Sequence, residues 1–142
     1  MFALLVLIVP AICSAATFTV EVRDHQYIPA NITINEGDTV RWTWFDDNHN
    51  VVSGAPMAPD GAFESELRNR GYEFEHTFNR EFVNANPKAA NRYDYFCFPH
   101  SSMGMVGSVT VTRSDKLFSA GLHPWEAIGN GGIPPASSAS GS

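Results

Sequence analysis

Apolar and polar residues alternate along several short stretches of this chain, and turns rich in Gly, Pro, Asn and Asp separate these stretches. Alternation with a period of two places every second side chain on the same face of a β-strand. The clearest stretch runs from Thr39 to Phe45, where Val40, Trp42 and Trp44 share one face. The same pattern predicts strands at residues 17–23, 31–34, 39–45, 49–54, 72–78, 93–96 and 105–113.

The segments between these predicted strands contain no long apolar pattern with the helical period of 3.6. We therefore predict an all-β fold, a Greek-key antiparallel β-sandwich or barrel. Residues 27–30 are predicted to form a turn or an edge segment, and Ala55 to Gly61 a loop, because two prolines and an Asp-Gly pair interrupt the pattern. Asn79 to Arg92 are predicted to form a surface loop inserted before the next strand. The 142 residues suffice for one domain with a single core.

The two ends of the chain differ from its central part. Residues Met1 to Ala16 carry no charged side chain, and their apolar run ends in small residues, which is typical of a secretory signal peptide. The run is too short to span a bilayer, and Pro10 interrupts it. We expect cleavage after Ala15 or Ala16, with export to the periplasm or the extracellular space. Residues 114–142 end in uncharged Gly, Pro, Ser and Ala, and we predict a largely flexible C-terminal tail after a domain at 17–113.

The formal net charge of −6 argues against nucleic acid as a partner. The acidic residues form either a negative face for a basic protein or an ordinary solvated surface, and they gather at residues 46–47, 60–66 and 73–75. Removal of the signal peptide would take Cys13 away and leave Cys97 as the only thiol, which excludes a disulfide within the exported chain. A lone thiol in an oxidising compartment is expected to be buried or bound to metal.

The candidate chemistry of the chain lies between the last two predicted strands. Cys97 and His100 are three residues apart, Met105 follows five residues later, and His49 begins a separate predicted strand. A tight turn after a strand can direct the thiolate and the imidazole at one point, while the longer loop brings a thioether above it. Two imidazoles, one thiolate and a weak axial thioether form the donor set of blue-copper electron-transfer sites. We therefore predict one mononuclear copper site.

Other chemistry fits these residues less well. Structural zinc sites prefer a fourth strong ligand, which a thioether is not. A cysteine nucleophile with His100 as its base lacks a polarising group nearby, since Phe96 and Phe98 flank the cysteine. The same two phenylalanines occupy the positions where a multicopper oxidase would need histidines. His25, His76 and His123 lack comparable neighbours in the sequence and are interpreted as ordinary side chains.

The segment from Cys97 to Val111 resembles the ligand loop of the cupredoxins, the type 1 blue copper proteins that include plastocyanin and pseudoazurin. Three upstream segments match the same family: residues 37–42, residues 49–54 and residues 60–65. The resemblance spans about Thr17 to Thr112. It implies the cupredoxin fold, a structural role for Asn50 between two ligand loops, and copper ligands at His49, Cys97, His100 and Met105.

The chain carries a second candidate for the axial ligand, Met103. The family pattern at the loop exit is Met-x-Gly-x-Val-x-Val, and the segment Met105 to Val111 fits this pattern whereas Met103 does not. The resemblance therefore favours Met105. The inserted segment at residues 79–92 and the tail after Arg113 depart from the family, which leaves the ligand spacing intact but puts the partner surfaces in doubt.

The resemblance implies a carrier of single electrons that cycles between Cu(I) and Cu(II) and exchanges electrons with redox proteins such as a cytochrome. We expect no enzymatic activity and no small-molecule substrate, and we expect the protein to be a monomer. His100 is the expected exit for the electron, through an apolar surface that includes Pro99 and Met103 and extends to Pro56 and Met57. The alternative is a module that stores, delivers or senses copper without carrying electrons.

Overall fold

Nine β-strands form two sheets in the computed structural model, within the described residues 14–113. The first sheet has the strand order β2-β1-β4-β7, and the second has the order β3-β9-β8-β5-β6. The strands are β1 (Thr17–Arg23), β2 (Gln26–Ile28), β3 (Asn31–Asn35), β4 (Thr39–Trp44), β5 (Val52–Ala55), β6 (Ala58–Glu64), β7 (Glu73–Thr77), β8 (Arg92–Phe96) and β9 (Val106–Thr112). The predicted cupredoxin β-sandwich is confirmed.

Both sheets are mixed rather than purely antiparallel. Strand β1 pairs in parallel with β4, and β3 pairs in parallel with β9, while the other strand pairs are antiparallel. Parallel partners need a crossover connection, because a tight hairpin can only reverse the chain. The excursion through β3 in the other sheet provides that crossover between β1 and β4.

The core lies between the inner faces of the two sheets. Val40, Trp42 and Trp44 are all buried, as the alternation along β4 predicts. Trp42 packs against Phe63, Phe74 and Tyr95, with ring centroids 5.4–5.8 Å apart. Aromatic pairs at such distances contribute about 0.5–1.5 kcal/mol each beyond the area they bury. Strand β4 therefore anchors the side chains of both sheets, and it leads directly toward His49.

The segment Ala55 to Gly61, predicted as a loop, is instead a β-hairpin. Strands β5 and β6 pair through Gly54 with Pro59 and Ala55 with Ala58, so that only Pro56 and Met57 form the turn. The prediction was wrong because β6 lies at the edge of its sheet, where a proline without an N–H group removes no hydrogen bond from the ladder. Gly54 has a φ of 118°, and a Cβ atom at this position would overlap the carbonyl oxygen of Ala58.

The inserted segment, predicted as a surface loop, contains helix α1 (Arg80–Ala85) and a short 3₁₀ helix (Ala89–Asn91). The side chain of Asn79 caps α1 by accepting a hydrogen bond from the Phe82 N–H at 2.8 Å. The helix buries Val83 and packs the ring of Phe82 against His76, with centroids 4.3 Å apart. Six helical residues are too few to produce a periodic pattern in the sequence, and the asparagine cap was the only local signal of the helix.

The predicted signal peptide and C-terminal tail lie almost entirely outside the described residues, which begin at Ser14 and end at Arg113. Within that range, no helix has the length and apolar character required to cross a bilayer.

His76 generates a pH prediction. Its imidazole packs among Phe63, Phe78 and Phe82, and its Nε2 atom is buried without a hydrogen-bond partner among residues 14–113. Burial lowers the pKa of His76 below its ordinary value of 6.5, so the folded protein binds this proton less tightly than the unfolded chain. The stabilisation by neutral His76 is therefore present above about pH 6.5 and is lost as the pH falls through the lowered pKa.

We expect urea unfolding of the metal-free protein to show a larger loss of stability between about pH 7.5 and about pH 5 in the wild type than in the His76→Phe variant. The phenylalanine keeps an aromatic ring among Phe63, Phe78 and Phe82 and has no proton to bind. An equal loss in the two proteins would show that His76 does not contribute to acid sensitivity.

Candidate metal centre

The structure brings three of the four predicted ligands together at one end of the sandwich. The Sγ atom of Cys97 lies 3.4 Å from Nδ1 of His100 and 3.7 Å from Nδ1 of His49. The three donor atoms all lie within 4.8 Å of one another. No carboxylate and no further His or Cys of the described chain joins this group. Cys97 and His49 are buried, whereas His100 is half-buried.

The distances between the donor atoms suit a shared metal ion. A zinc ion lies about 2.3 Å from a cysteine sulfur and about 2.0–2.1 Å from a histidine nitrogen. Two such donors stand roughly 3.5–3.8 Å apart when they subtend a tetrahedral or trigonal angle at one ion. The separation of 3.7 Å from Cys97 to His49 falls within this range and that of 3.4 Å to His100 lies just below it, so both are close to what a shared first-row metal ion requires. The thiolate and imidazole donors are those that copper prefers.

Met105 and Met103 have very different surroundings. Met105 is 1% exposed and belongs to the same core cluster as Cys97, whereas Met103 is 63% exposed. The carbonyl oxygen of Met105 accepts the Cys97 N–H at 3.0 Å, and its N–H donates to the carbonyl oxygen of His100 at 3.3 Å. Met105 is thus joined through the backbone to both ligands on its loop. Met103 sits in a short 3₁₀ helix (Ser101–Met103) whose side chains are not buried.

His49 is fixed by its backbone rather than by the ring. Its N–H donates to the carbonyl oxygen of Arg68 at 3.1 Å, and its carbonyl oxygen accepts the Arg68 N–H at 2.9 Å. The indole N–H of Trp44 also donates to the His49 carbonyl oxygen, at 2.9 Å. His49 therefore lies in an isolated bridge just after β4, and β5 begins only at Val52. The strand predicted at residues 49–54 starts three residues later than expected.

Asn50 connects the two chain segments that carry the histidines. Its Oδ1 atom accepts the Phe98 N–H at 2.8 Å, directly after Cys97. Its carbonyl oxygen accepts the hydroxyl of the buried Tyr27 at 2.6 Å. The role that the sequence resemblance implied for Asn50 is thus visible as a hydrogen bond between the two ligand loops, and such bonds orient metal ligands.

Burial changes the proton affinity of all three donors. It raises the pKa of the Cys97 thiol, an effect that the backbone amides of Asn50 and His100 oppose. It lowers the pKa of His49, and the neighbouring His100 and His25 lower it further. Burial and His25 also lower the pKa of His100. Both imidazoles are thus disposed to be neutral, the form that binds metal, and the thiol must release its proton when metal binds.

His25 lies beside the candidate ligands, although it was interpreted from the sequence as an ordinary side chain. Its exposed ring stands 4.4 Å from the ring of His100 and 5.8 Å from that of His49, centroid to centroid, in edge-on arrangements. Asp24 and His25 both adopt a positive φ, which forms the tight turn between β1 and β2. No spacing or motif in the sequence indicates that this turn reaches the ligand loop.

A family model for copper-binding proteins of the plastocyanin/azurin family matches residues 14–112 of the chain. A halocyanin from Natronomonas pharaonis is 39% identical over 88 residues, which are 58% of this chain and 46% of that protein. A plastocyanin from a Synechococcus strain is 34% identical over 91 residues, 60% of this chain and 62% of that protein. The chain thus matches less than two thirds of the length of each of these two relatives.

Solved structures with the same fold as this chain include one with bound copper. A variant of amicyanin, solved in its reduced Cu(I) form, aligns with a TM-score of 0.52 and 26% sequence identity. The alignment covers 68% of this chain and 82% of the amicyanin chain.

The link through Asn50 yields a test of how the site is held. Asn50→Ala leaves the Phe98 N–H without its acceptor, which is expected to cost about 1–2 kcal/mol of unfolding free energy and to loosen the two loops. Asn84→Ala is the matched control, because Asn84 is exposed and accepts a bond from Arg113 instead. We expect less than about 0.5 kcal/mol for this control.

Urea unfolding and the visible spectrum of the Cu(II)-loaded variants would measure both effects. The Asn50 variant should be less stable and its spectrum should change, while the Asn84 variant should keep the wild-type spectrum. An unchanged spectrum in both variants would contradict the role assigned to Asn50.

Proposed function

Because this chain belongs to the plastocyanin/azurin family of copper-binding proteins, we propose that it is an exported carrier of single electrons between larger redox proteins. We assign the copper to His49, Cys97, His100 and Met105. Bound copper supplies a one-electron couple between Cu(I) and Cu(II). The observation that carries the proposal is the convergence of a buried thiol and two imidazole nitrogens on one point, with the buried Met105 on the same loop.

The way in which the chain holds these donors supports rapid electron exchange. His49 is fixed by Arg68 and Trp44, and the Cys97 loop is fixed to Asn50 and Met105, all through hydrogen bonds that involve backbone atoms. Donors held in this way change position little when the charge at their centre changes. A small rearrangement keeps the activation barrier for electron transfer low. The apolar surroundings of Cys97 and the weak thioether of Met105 favour the lower charge and so raise the potential.

The route for the electron leads through His100. This residue is the half-buried member of the trio, and its loop exposes Phe98 and Met103 to solvent. The turn at Pro56 and Met57 does not adjoin this surface as expected, because β5 starts beside Phe96 and runs antiparallel to β8, away from the Cys97 loop. A groove of about 330 Å³ on that sheet is lined by Arg92 and Asp94 as well as by Pro56 and Val106. The apolar surface beside His100 is therefore that of Phe98 and Met103. An apolar surface of this kind suits brief contact with a redox protein.

The acidic residues contribute less to the electrostatic field around the protein than its net charge suggests. Arg41 pairs with Glu73 and Glu75, Arg70 pairs with Asp46, Arg68 pairs with Glu66, and Lys88 pairs with Asp60. These pairs are solvent-exposed or partly exposed and add little stability, but each reduces the field that a partner would feel. We therefore propose that the apolar surface around His100 makes the contact and that charge guides the approach. We propose that the carrier is a monomer without enzymatic activity.

The two methionines provide a matched pair of variants for the ligand assignment. We expect Met105→Leu to shift the reduction potential by about 59 mV or more, which is a tenfold change in relative affinity for the two oxidation states. Met103→Leu should leave the potential close to that of the wild type, because the Met103 side chain is exposed. Cyclic voltammetry measures both. A large shift for the Met103 variant and none for the Met105 variant would show that Met103 is the axial ligand instead.

The carrier role itself is tested by electron exchange with a soluble cytochrome c. We expect the reduced protein to reduce the cytochrome rapidly in stopped-flow experiments, with copper retained on the chain throughout. A slow exchange combined with fast transfer of copper to a chelating acceptor would favour copper storage or delivery instead. Replacement of Phe98 by Ser should slow the exchange without changing the visible spectrum if the apolar surface makes the contact.

A further inference from the structure

Asp38 is a buried carboxylate directly before β4 and is not one of the residues assigned to copper. It is 3% exposed. Its Oδ1 atom accepts the Ala16 N–H at 2.8 Å, and its Oδ2 atom accepts the Asn35 N–H at 2.8 Å. No Arg, Lys or His of residues 14–113 forms an ion pair with it. A buried charge without a counter-charge is costly, which raises the question of what supplies the cation.

Ala16 is the first of the described residues that forms hydrogen bonds with the rest of the fold. Besides its bond to Asp38, its carbonyl oxygen accepts the Thr39 N–H at 2.8 Å, immediately before the parallel pairing of β1 with β4 begins at Thr17. Ser14 and Ala15 are exposed and form no hydrogen bond with the rest of the described chain. Within residues 14–113, the hydrogen bonding of the backbone thus begins at Ala16.

We propose that processing during export cuts the peptide bond between Ala15 and Ala16, and that the new α-ammonium group of Ala16 forms an ion pair with Asp38. A peptidase adds water across the bond, so that Ala15 gains a carboxylate and Ala16 gains an amino group, which takes up a proton. Small residues at Cys13 and Ala15 match the pattern that signal peptidases recognise. The inference rests on the proposed export of the protein.

The contacts of Ala16 decide between the two cleavage sites that the sequence leaves open. Cleavage after Ala15 retains both hydrogen bonds of Ala16 and converts the one to Asp38 into a charge-assisted bond, which is stronger. Cleavage after Ala16 would remove the donor to Asp38 and the acceptor for Thr39. It would also place the new ammonium group about 3.3 Å further along the strand. Only cleavage after Ala15 leaves the hydrogen-bonding groups at the start of β4 all paired.

The position of the cut is tested by expressing the full chain in an exporting bacterial host and identifying the N-terminal peptide of the copper-loaded exported protein by mass spectrometry. We expect the sequence to begin Ala16-Thr17-Phe18. An exported protein that begins at Thr17, or at any other residue, would overturn this inference and leave the proposed export standing. An uncleaved chain retained in the cytoplasm would contradict export itself.

The ion pair is tested by comparing the processed protein with a form that carries one additional glycine before Ala16. The extension keeps the Ala16 N–H but removes its charge, so the ratio of folded to unfolded protein in urea should fall roughly fivefold or more. The same extension in the Asp38→Asn background should have almost no effect, because the carboxylate is gone. Equal effects in the two backgrounds would show that no ion pair forms.

Discussion

Cys97 and His49 are 48 residues apart in the chain, yet their donor atoms must be held 3.7 Å apart for a metal site to exist. The sandwich meets this constraint with backbone bonds. The backbone of His49 exchanges hydrogen bonds with Arg68 and accepts the indole N–H of Trp44. The Cys97 loop is hydrogen-bonded to the side chain of Asn50. The core position of Trp44 at the end of β4 thereby determines where His49 can lie. The geometry of the site is a consequence of how the two sheets pack.

The same arrangement explains why one side of the site is buried and the other is accessible to solvent. The thiol and His49 lie in the apolar interior, which disfavours added charge and keeps water away. His100 stands at the boundary with solvent, on a loop that also exposes Phe98 and Met103. A donor set that is rigid inside and accessible at one histidine suits the passage of an electron without the passage of a substrate. His25 adds an imidazole beside that accessible edge, and its contribution depends on a turn that the ligand motif does not include.

The features of the fold and the site that could be predicted from the sequence share a physical basis. Alternation along β4 predicted its buried face because Val40, Trp42 and Trp44 each contribute to one core. The spacing of Cys97 and His100 predicted that their donor atoms meet, because a single tight turn brings the thiol and the imidazole together. The hairpin at Pro56 was not predicted because an edge strand tolerates proline. Helix α1 was not predicted because six residues are too few to show a helical period. The contact of His25 with His100 was not predicted because it depends on how turns that are distant in the sequence meet.

The central claim is that these residues form one copper site with a thiolate ligand. The most direct measurement is the visible and EPR spectrum of the purified protein after addition of one equivalent of Cu(II), with Cys97→Ser as the comparison. The account predicts an intense thiolate-to-copper charge-transfer band that saturates at one copper per chain and is absent from the serine variant. A wild-type protein without this band, or a variant that retains it, would contradict the account.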